Sequence, residues 1–146
     1  MPRIHNTLQF LRAEDVMTRH LVTVDLTGTV QDAADLMFAA EVRHIPVVTQ
    51  HTLVGMVSDR DLRRYVLPRP ENILHPDEAR ARMAVSVSAV MRSDVLTVLP
   101  DTPVATLLDL LLKEHIGAVP VLAPETGELI GMVSYIDVLR AVRPFF

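Results

Sequence analysis

The stretches LVGMVSDRDLRR (residues 53–64) and LIGMVSYIDVLR (129–140) are nearly the same twelve residues written twice. Each runs an apolar strand into Gly-Met-Val-Ser, then two variable residues, then Asp. The variable pair is Asp59-Arg60 in the first copy and Tyr135-Ile136 in the second. Working outward, the repetition covers most of the chain. With a shift of 74, residues 16–48 fall on 90–122 without a gap, pairing Val16 with Val90, Met17 with Met91, Thr23 with Thr97 and Pro46 with Pro120. After a two-residue insertion around APETGE (123–128) the shift becomes 76. Gly55, Met56, Val57, Ser58, Asp61 and Arg64 then pair with Gly131, Met132, Val133, Ser134, Asp137 and Arg140. Ordered agreement on this scale marks a tandem duplication of a unit of roughly 50 residues.

Each unit reads as strand, helix, strand, strand, helix, an α/β chain of the α+β kind. LVTVD (21–25) and VLTVL (95–99) are short β-rich runs. TVQDAADLMFAAEV (29–42) carries a helical stripe of apolar residues. Its counterpart, PVATLLDLLLKEH (103–115), opens on Thr102-Pro103, read as an N-cap and a first-turn proline. HIPVV (44–48) and AVPVL (118–122) are strands whose prolines limit pairing. LVGMVS and LIGMVS are their partners, across the turn residues 49–52 and APETGE. DRDLRRYV (59–66) and YIDVLRAV (135–142) are the closing helices. The expected divisions are an N-terminal segment at 1–13, a first unit at 14–66, a linker at 67–87 and a second unit at 88–146. The linker holds Pro68, Pro70 and Pro76, then a polar helix from Asp77 to about Met83, and reads as a surface spacer. Units this small hardly close a core alone, so the two are expected to bury each other's sheet faces.

The chain has 146 residues, 49% of them hydrophobic and 22% charged, which suits a packed globule. A net charge of −4 gives no reason to expect a general nucleic-acid or membrane surface. With no cysteine, disulfides, zinc thiolate sites and a cysteine nucleophile are excluded. No apolar run approaches the ~20 residues of a membrane span, and the start lacks a signal-peptide core. The expectation is a soluble, cytoplasmic protein. The six histidines show no metal-ligand spacing, so no metal site is expected. No Ser-His-Asp constellation, phosphate loop or catalytically spaced acid pair is present, so no enzyme is expected.

The segments VMTRHLVTV (16–24) and VMRSDVLTV (90–98), the proline strands and the two Gly-Met-Val-Ser-x-x-Asp signatures together resemble a tandem pair of CBS domains, the arrangement called a Bateman module. The resemblance covers about 14–66 and 88–143, and no attached enzyme or channel domain is expected. It implies two sheets packed with pseudo-two-fold symmetry, a cleft on either side, and a regulatory role in which adenine nucleotides occupy the clefts. It also implies pairing of two copies. Together with the apolar LLDLLLKEH stretch (107–115), this leads to an expected homodimer.

Two readings of Ser-x-x-Asp stand side by side. Ser58 with Asp61, and Ser134 with Asp137, match a capping box, in which the serine oxygen accepts from the N3 amide and the acid reaches back. The same helix start can also receive a phosphate at Ser58 or Ser134. The carboxylate one turn along would then take the two ribose hydroxyls, as acidic residues do in dinucleotide folds. The resemblance implies that same division, with Asp61 and Asp137 on ribose. Arg60, and by resemblance Arg43 and His44, would favour extra phosphate charge in the first unit. Tyr135 and Ile136 look better suited to packing, an adenosine-like ligand or nothing. By resemblance, adenine would lie against the start of the first strand (Leu21, Val22, Thr23) and against Ile45, Pro46 and Val47. The second-unit counterparts are Val95, Thr97, Val119, Pro120 and Val121. The expected ligand is AMP, ADP or ATP, with no cofactor required. The alternatives are another adenosyl ligand such as S-adenosylmethionine or NAD, or a docking module that binds an unidentified protein without a ligand.

Overall fold

The computed structural model describes residues 8–66 and 75–146. The first seven residues and 67–74, the start of the expected linker, lie outside the described residues. In chain order the elements are helix α1 (Ala13–Val16), strand β1 (Val24–Asp25), helix α2 (Val30–Ala40), strands β2 (His44–Thr49) and β3 (Thr52–Ser58), and helices α3 (Asp59–Val66) and α4 (Pro76–Met83). A 3-10 turn (Val87–Ala89) leads to helix α5 (Val104–Glu114), strands β4 (Ala118–Leu122) and β5 (Leu129–Ser134), helix α6 (Tyr135–Val142) and a last 3-10 turn (Arg143–Phe145). The α+β class expected from the repeat is the one observed.

The elements gather into two compact units that do not coincide with the repeats. One spans Val22–Val95; the other joins Leu96–Phe146 to the segment ending at Leu21. In the 22–95 unit, β1 runs parallel to β2 and β2 antiparallel to β3. Its core holds Val24, Val30, Ile45, Val47, Val57, Leu62 and Val87. In the other unit β4 and β5 pair antiparallel, over a core that includes Ala13, Leu107, Val119, Val121, Val133 and Val138. Each sheet thus receives a segment that precedes the other repeat in sequence. Thr18 and Met132 exchange backbone hydrogen bonds of 2.9 and 3.0 Å, and Arg92 and Met56 do the same at 2.9 Å.

This exchange explains the glycine of the repeated signature. A Cβ on Gly131 would collide with the side chain of Met17, and one on Gly55 with that of Met91. Gly55 is the tighter of the two, because its added carbon would also lie 3.0 Å from the Arg92 carbonyl oxygen. The repeated Val-Met (16–17 and 90–91) and the repeated Gly-Met are two sides of one contact. The duplication preserves finer features as well. Both hairpins carry a register irregularity at the same place, between Val47 and Val48 and between Val121 and Leu122. Both long helices end on a residue in the left-handed region, Glu41 at φ 54° and His115 at φ 53°.

Several local expectations change. The runs 21–25 and 95–99 yield only a two-residue strand and a single bridge, Val98 to Val121. Pro46 lies next to the Val24–Val47 pair in this parallel register, and it has no N–H to extend the ladder. Pro120 likewise contributes only its carbonyl, to the Val98 amide at 3.0 Å. Thr49 and Thr52 are a strand pair rather than turn residues, leaving Gln50 (φ 49°) and His51 (φ 68°) as a two-residue loop. Helix α5 starts one residue later than expected. Pro103 is its N-cap and makes no side-chain bond, while the Thr102 hydroxyl accepts from the Leu99 amide at 3.1 Å. The end of the linker is not a surface spacer: Val87 is fully buried, and its amide donates to the Gly28 carbonyl at 2.9 Å.

Gly55→Ala should destabilise the protein by ~1–3 kcal/mol, the usual cost of overpacking. Gly131→Ala should cost less, because only a methionine side chain must move. Urea denaturation of both variants checks the order; equal, negligible effects would contradict the contact.

Candidate ligand-binding site

The Ser-x-x-Asp segments sit where β3 meets α3 and where β5 meets α6. Both form capping boxes. The Ser58 amide donates to Asp61 Oδ2 at 2.9 Å, and the Asp61 amide donates to Ser58 Oγ at 3.2 Å. The Ser134 amide donates to Asp137 Oδ2 at 2.8 Å, and the Asp137 amide donates to Ser134 Oγ at 3.2 Å. The helix-cap reading is therefore the geometry of the ligand-free chain, and it accounts for one oxygen of each carboxylate.

The other oxygen is engaged from afar. Thr18 Oγ1 donates to Asp137 Oδ1 at 2.9 Å across 119 residues of sequence. In the 22–95 unit, Arg92 Nε lies 3.7 Å from Asp61 Oδ1. Thr18 and Arg92 occupy equivalent places, each one residue past the repeated Val-Met. Both carboxylates are sheltered, with 15% of the Asp61 side chain exposed and 10% of that of Asp137. Arg140, one turn along α6, lies 3.9 Å from Asp137 Oδ1.

The surroundings of the two carboxylates differ in charge. His44 is the strand partner of Ser58, and the Asp59 amide donates to the Arg43 carbonyl at 2.9 Å. Partial burial is the main cause holding the His44 imidazole below its ordinary pKa of 6.5. The Asp59 and Asp61 carboxylates pull it back up, and the Arg43 and Arg92 charges reinforce the lowering. Three cationic or protonatable groups therefore share one neighbourhood with Asp61. At the equivalent places beside Asp137 stand Gly117, Ala118 and Thr18. Arg60 is exposed and is not among the charges acting on His44. Tyr135 and Ile136, for which packing is one of three expected roles, are both exposed.

The residues expected to line an adenine slot fall into two groups. Ile45, Pro46, Val47, Val119, Pro120 and Val121 are fully buried and present no surface to a ligand. Leu21, Val22, Thr23 and Val95 are half-buried and Thr97 is exposed. The sequence reading missed Thr18 and Arg92. Their signal was present in the repeated Val-Met, whose next residue differs between the copies. Among the described residues no group of three or more His, Cys, Asp or Glu could hold a metal ion. No described helix is long and apolar enough to cross a membrane.

Comparison with known proteins adds four findings. The CBS domain family model matches residues 13–68 and 87–144. A CBS domain-containing protein of Dictyostelium discoideum is 31% identical over 129 residues, covering 86% of this chain and 87% of that protein. A homoserine O-acetyltransferase of Methanococcoides burtonii is 30% identical over 140 residues, 95% of this chain but 26% of the enzyme's length. Among solved structures, that of CBSX2 in complex with AMP superimposes with a TM-score of 0.75 at 29% identity, covering 92% of this chain and 97% of that one.

Burial of His44 generates a pH dependence. A histidine whose pKa is lower in the folded state than in the unfolded one contributes stability above about pH 6.5 and loses it as the pH falls below that value. Chemical denaturation from about pH 7.5 to about pH 5.5 should therefore show a fall in stability, and His44→Gln should make that fall shallower. An unchanged pH profile in the variant would show that His44 titrates alike in both states.

Proposed function

The chain belongs to the CBS domain family, and from that premise we propose that it is a regulatory module that binds adenine nucleotides at the two Ser-x-x-Asp junctions. The supporting observation is the divided duty of Asp61 and Asp137. One oxygen is fixed by the cap, and the other faces a polar partner that a ribose hydroxyl can replace or join. The AMP complex of the similar CBSX2 supports an adenosine-containing ligand. In this reading Ser58 and Ser134 with their helix amides receive phosphate. Arg43, His44 and Arg60 favour ADP or ATP in the first repeat. S-adenosylmethionine and NAD are the competing adenosyl ligands.

The chain acts in the cytoplasm in this account, without catalysis of its own and with no nucleic-acid or membrane partner. Its domains are 14–66 and 88–146, joined by 67–87. The acetyltransferase relative, of which the chain matches 26%, places such a pair within a longer enzyme, so the regulated partner here is a protein attached to or docked on the module. A homodimer is the second part of the proposal. Leu112 on α5 is 73% exposed, and on α6 Leu139 is 58% exposed with Tyr135 and Ile136 open beside it in sequence, apolar helix surface that a second copy would cover.

A nucleotide at 100 times its dissociation constant should stabilise the fold by ~2.7 kcal/mol. Asp61→Asn and Asp137→Asn should each weaken a different class of site by ~1–3 kcal/mol in calorimetric titrations with AMP and ATP. If both variants lose ~1 kcal/mol of ligand-free stability with affinities intact, the aspartates are helix caps and the docking module is the better account.

A further inference from the structure

We propose that residues 92 and 18 decide whether each site demands a phosphate on its ligand, an inference that rests on the nucleotide reading above. The two positions are equivalent in the repeat, and they meet equivalent oxygens, Asp61 Oδ1 and Asp137 Oδ1. They meet them with different chemistry.

At Asp61 the partner is a guanidinium, 3.7 Å away on a side chain that is 61% exposed. An ion pair this long and this wet is held loosely. A ribose hydroxyl that reaches Oδ1 takes the acceptor that Arg92 uses. Arg92 is then a free cation on a long side chain, beside Arg43 and His44, and the carboxylate that balanced it is occupied. A ligand phosphate supplies a new anionic partner, and a charge-assisted hydrogen bond to it compensates for the one surrendered. Adenosine supplies nothing in exchange. The site therefore selects ligands that carry phosphate.

At Asp137 the partner is the neutral Thr18 hydroxyl, donating at 2.9 Å. A hydroxyl is donor and acceptor at once, so Thr18 can keep its bond to Asp137 and accept from a sugar hydroxyl. No cation is displaced from position 18, and Gly117 and Ala118 bring none. Arg140, 3.9 Å from the same oxygen and 75% exposed, has a counterpart in the other repeat, Arg64, so it does not distinguish the two copies. A phosphate gains no new partner from residue 18. This site accepts a neutral adenosine-type ligand about as well as AMP.

Calorimetric titrations with adenosine and with AMP test the inference. Asp137→Asn isolates the Asp61 site and Asp61→Asn isolates the Asp137 site. Adding Arg92→Thr to the first background should cut the preference for AMP over adenosine by about tenfold, the scale of one charge-assisted bond, with little change in adenosine affinity. Adding Thr18→Arg to the second should raise that preference by a similar factor. Should Arg92→Thr prove unfolded by circular dichroism, Arg92→Gln removes the charge and keeps a donor. Equal loss for adenosine and AMP would make residue 92 a structural support, and unchanged ratios with binding intact would overturn this inference alone. Wild-type protein that binds neither compound would overturn the nucleotide reading, and this inference with it.

Discussion

Each of two carboxylates, Asp61 and Asp137, is divided between a local and a distant partner, and that division brings three pieces of each unit together at one side chain. Oδ2 closes a capping box and so sets how the helix leaves the strand. Oδ1 meets a residue delivered by a segment that precedes the other repeat. One side chain therefore joins a strand end, a helix start and a piece of chain that is remote in sequence. The methionine beside that distant residue lies against the signature glycine, so the polar contact and the apolar contact come from one dipeptide. Because neither repeat supplies its own incoming segment, the compact units differ from the repeats.

The duplication keeps what the backbone requires and varies what a ligand would meet. The glycine, the bulge, the buried proline and the left-handed helix ends recur in both copies. The substitutions between copies cluster at the carboxylate: Arg43 against Gly117, His44 against Ala118, Asp59 against Tyr135, Arg60 against Ile136 and Arg92 against Thr18. Four of the five residues on the Asp61 side, Arg92 of the second copy among them, are basic, or protonatable in the case of His44. A charged and a neutral version of one frame suit two ligands, or two phosphorylation states of one ligand, better than two identical sites.

The repeat made the element order legible, because apolar periodicity and punctuation agree in both copies. Ser-x-x-Asp was legible as a cap for the same reason: its partners lie three residues apart. The exchange of segments was not, since it depends on contacts such as Thr18 to Asp137 that no local pattern records. The short first strands were overestimated because β propensity does not register that a neighbour lacks an amide; Pro46 decides the matter from the adjacent strand. Val87 lies in the apolar run MAVSVSAVM (83–91), and the prolines and charges before that run make it read as part of a surface linker. The charged cluster was half legible: Arg43, His44 and Arg60 were visible as differences between the copies, and Arg92 lay one repeat boundary away.

The most direct measurement is a crystal structure of the protein grown with AMP. The account predicts ribose hydroxyls within hydrogen-bond distance of Asp61 or Asp137, each still capping its helix through Oδ2, with Oδ1 turned to the sugar. A nucleotide bound away from both carboxylates would contradict it, as would an unaltered contact between Asp61 Oδ1 and Arg92 with AMP at that site.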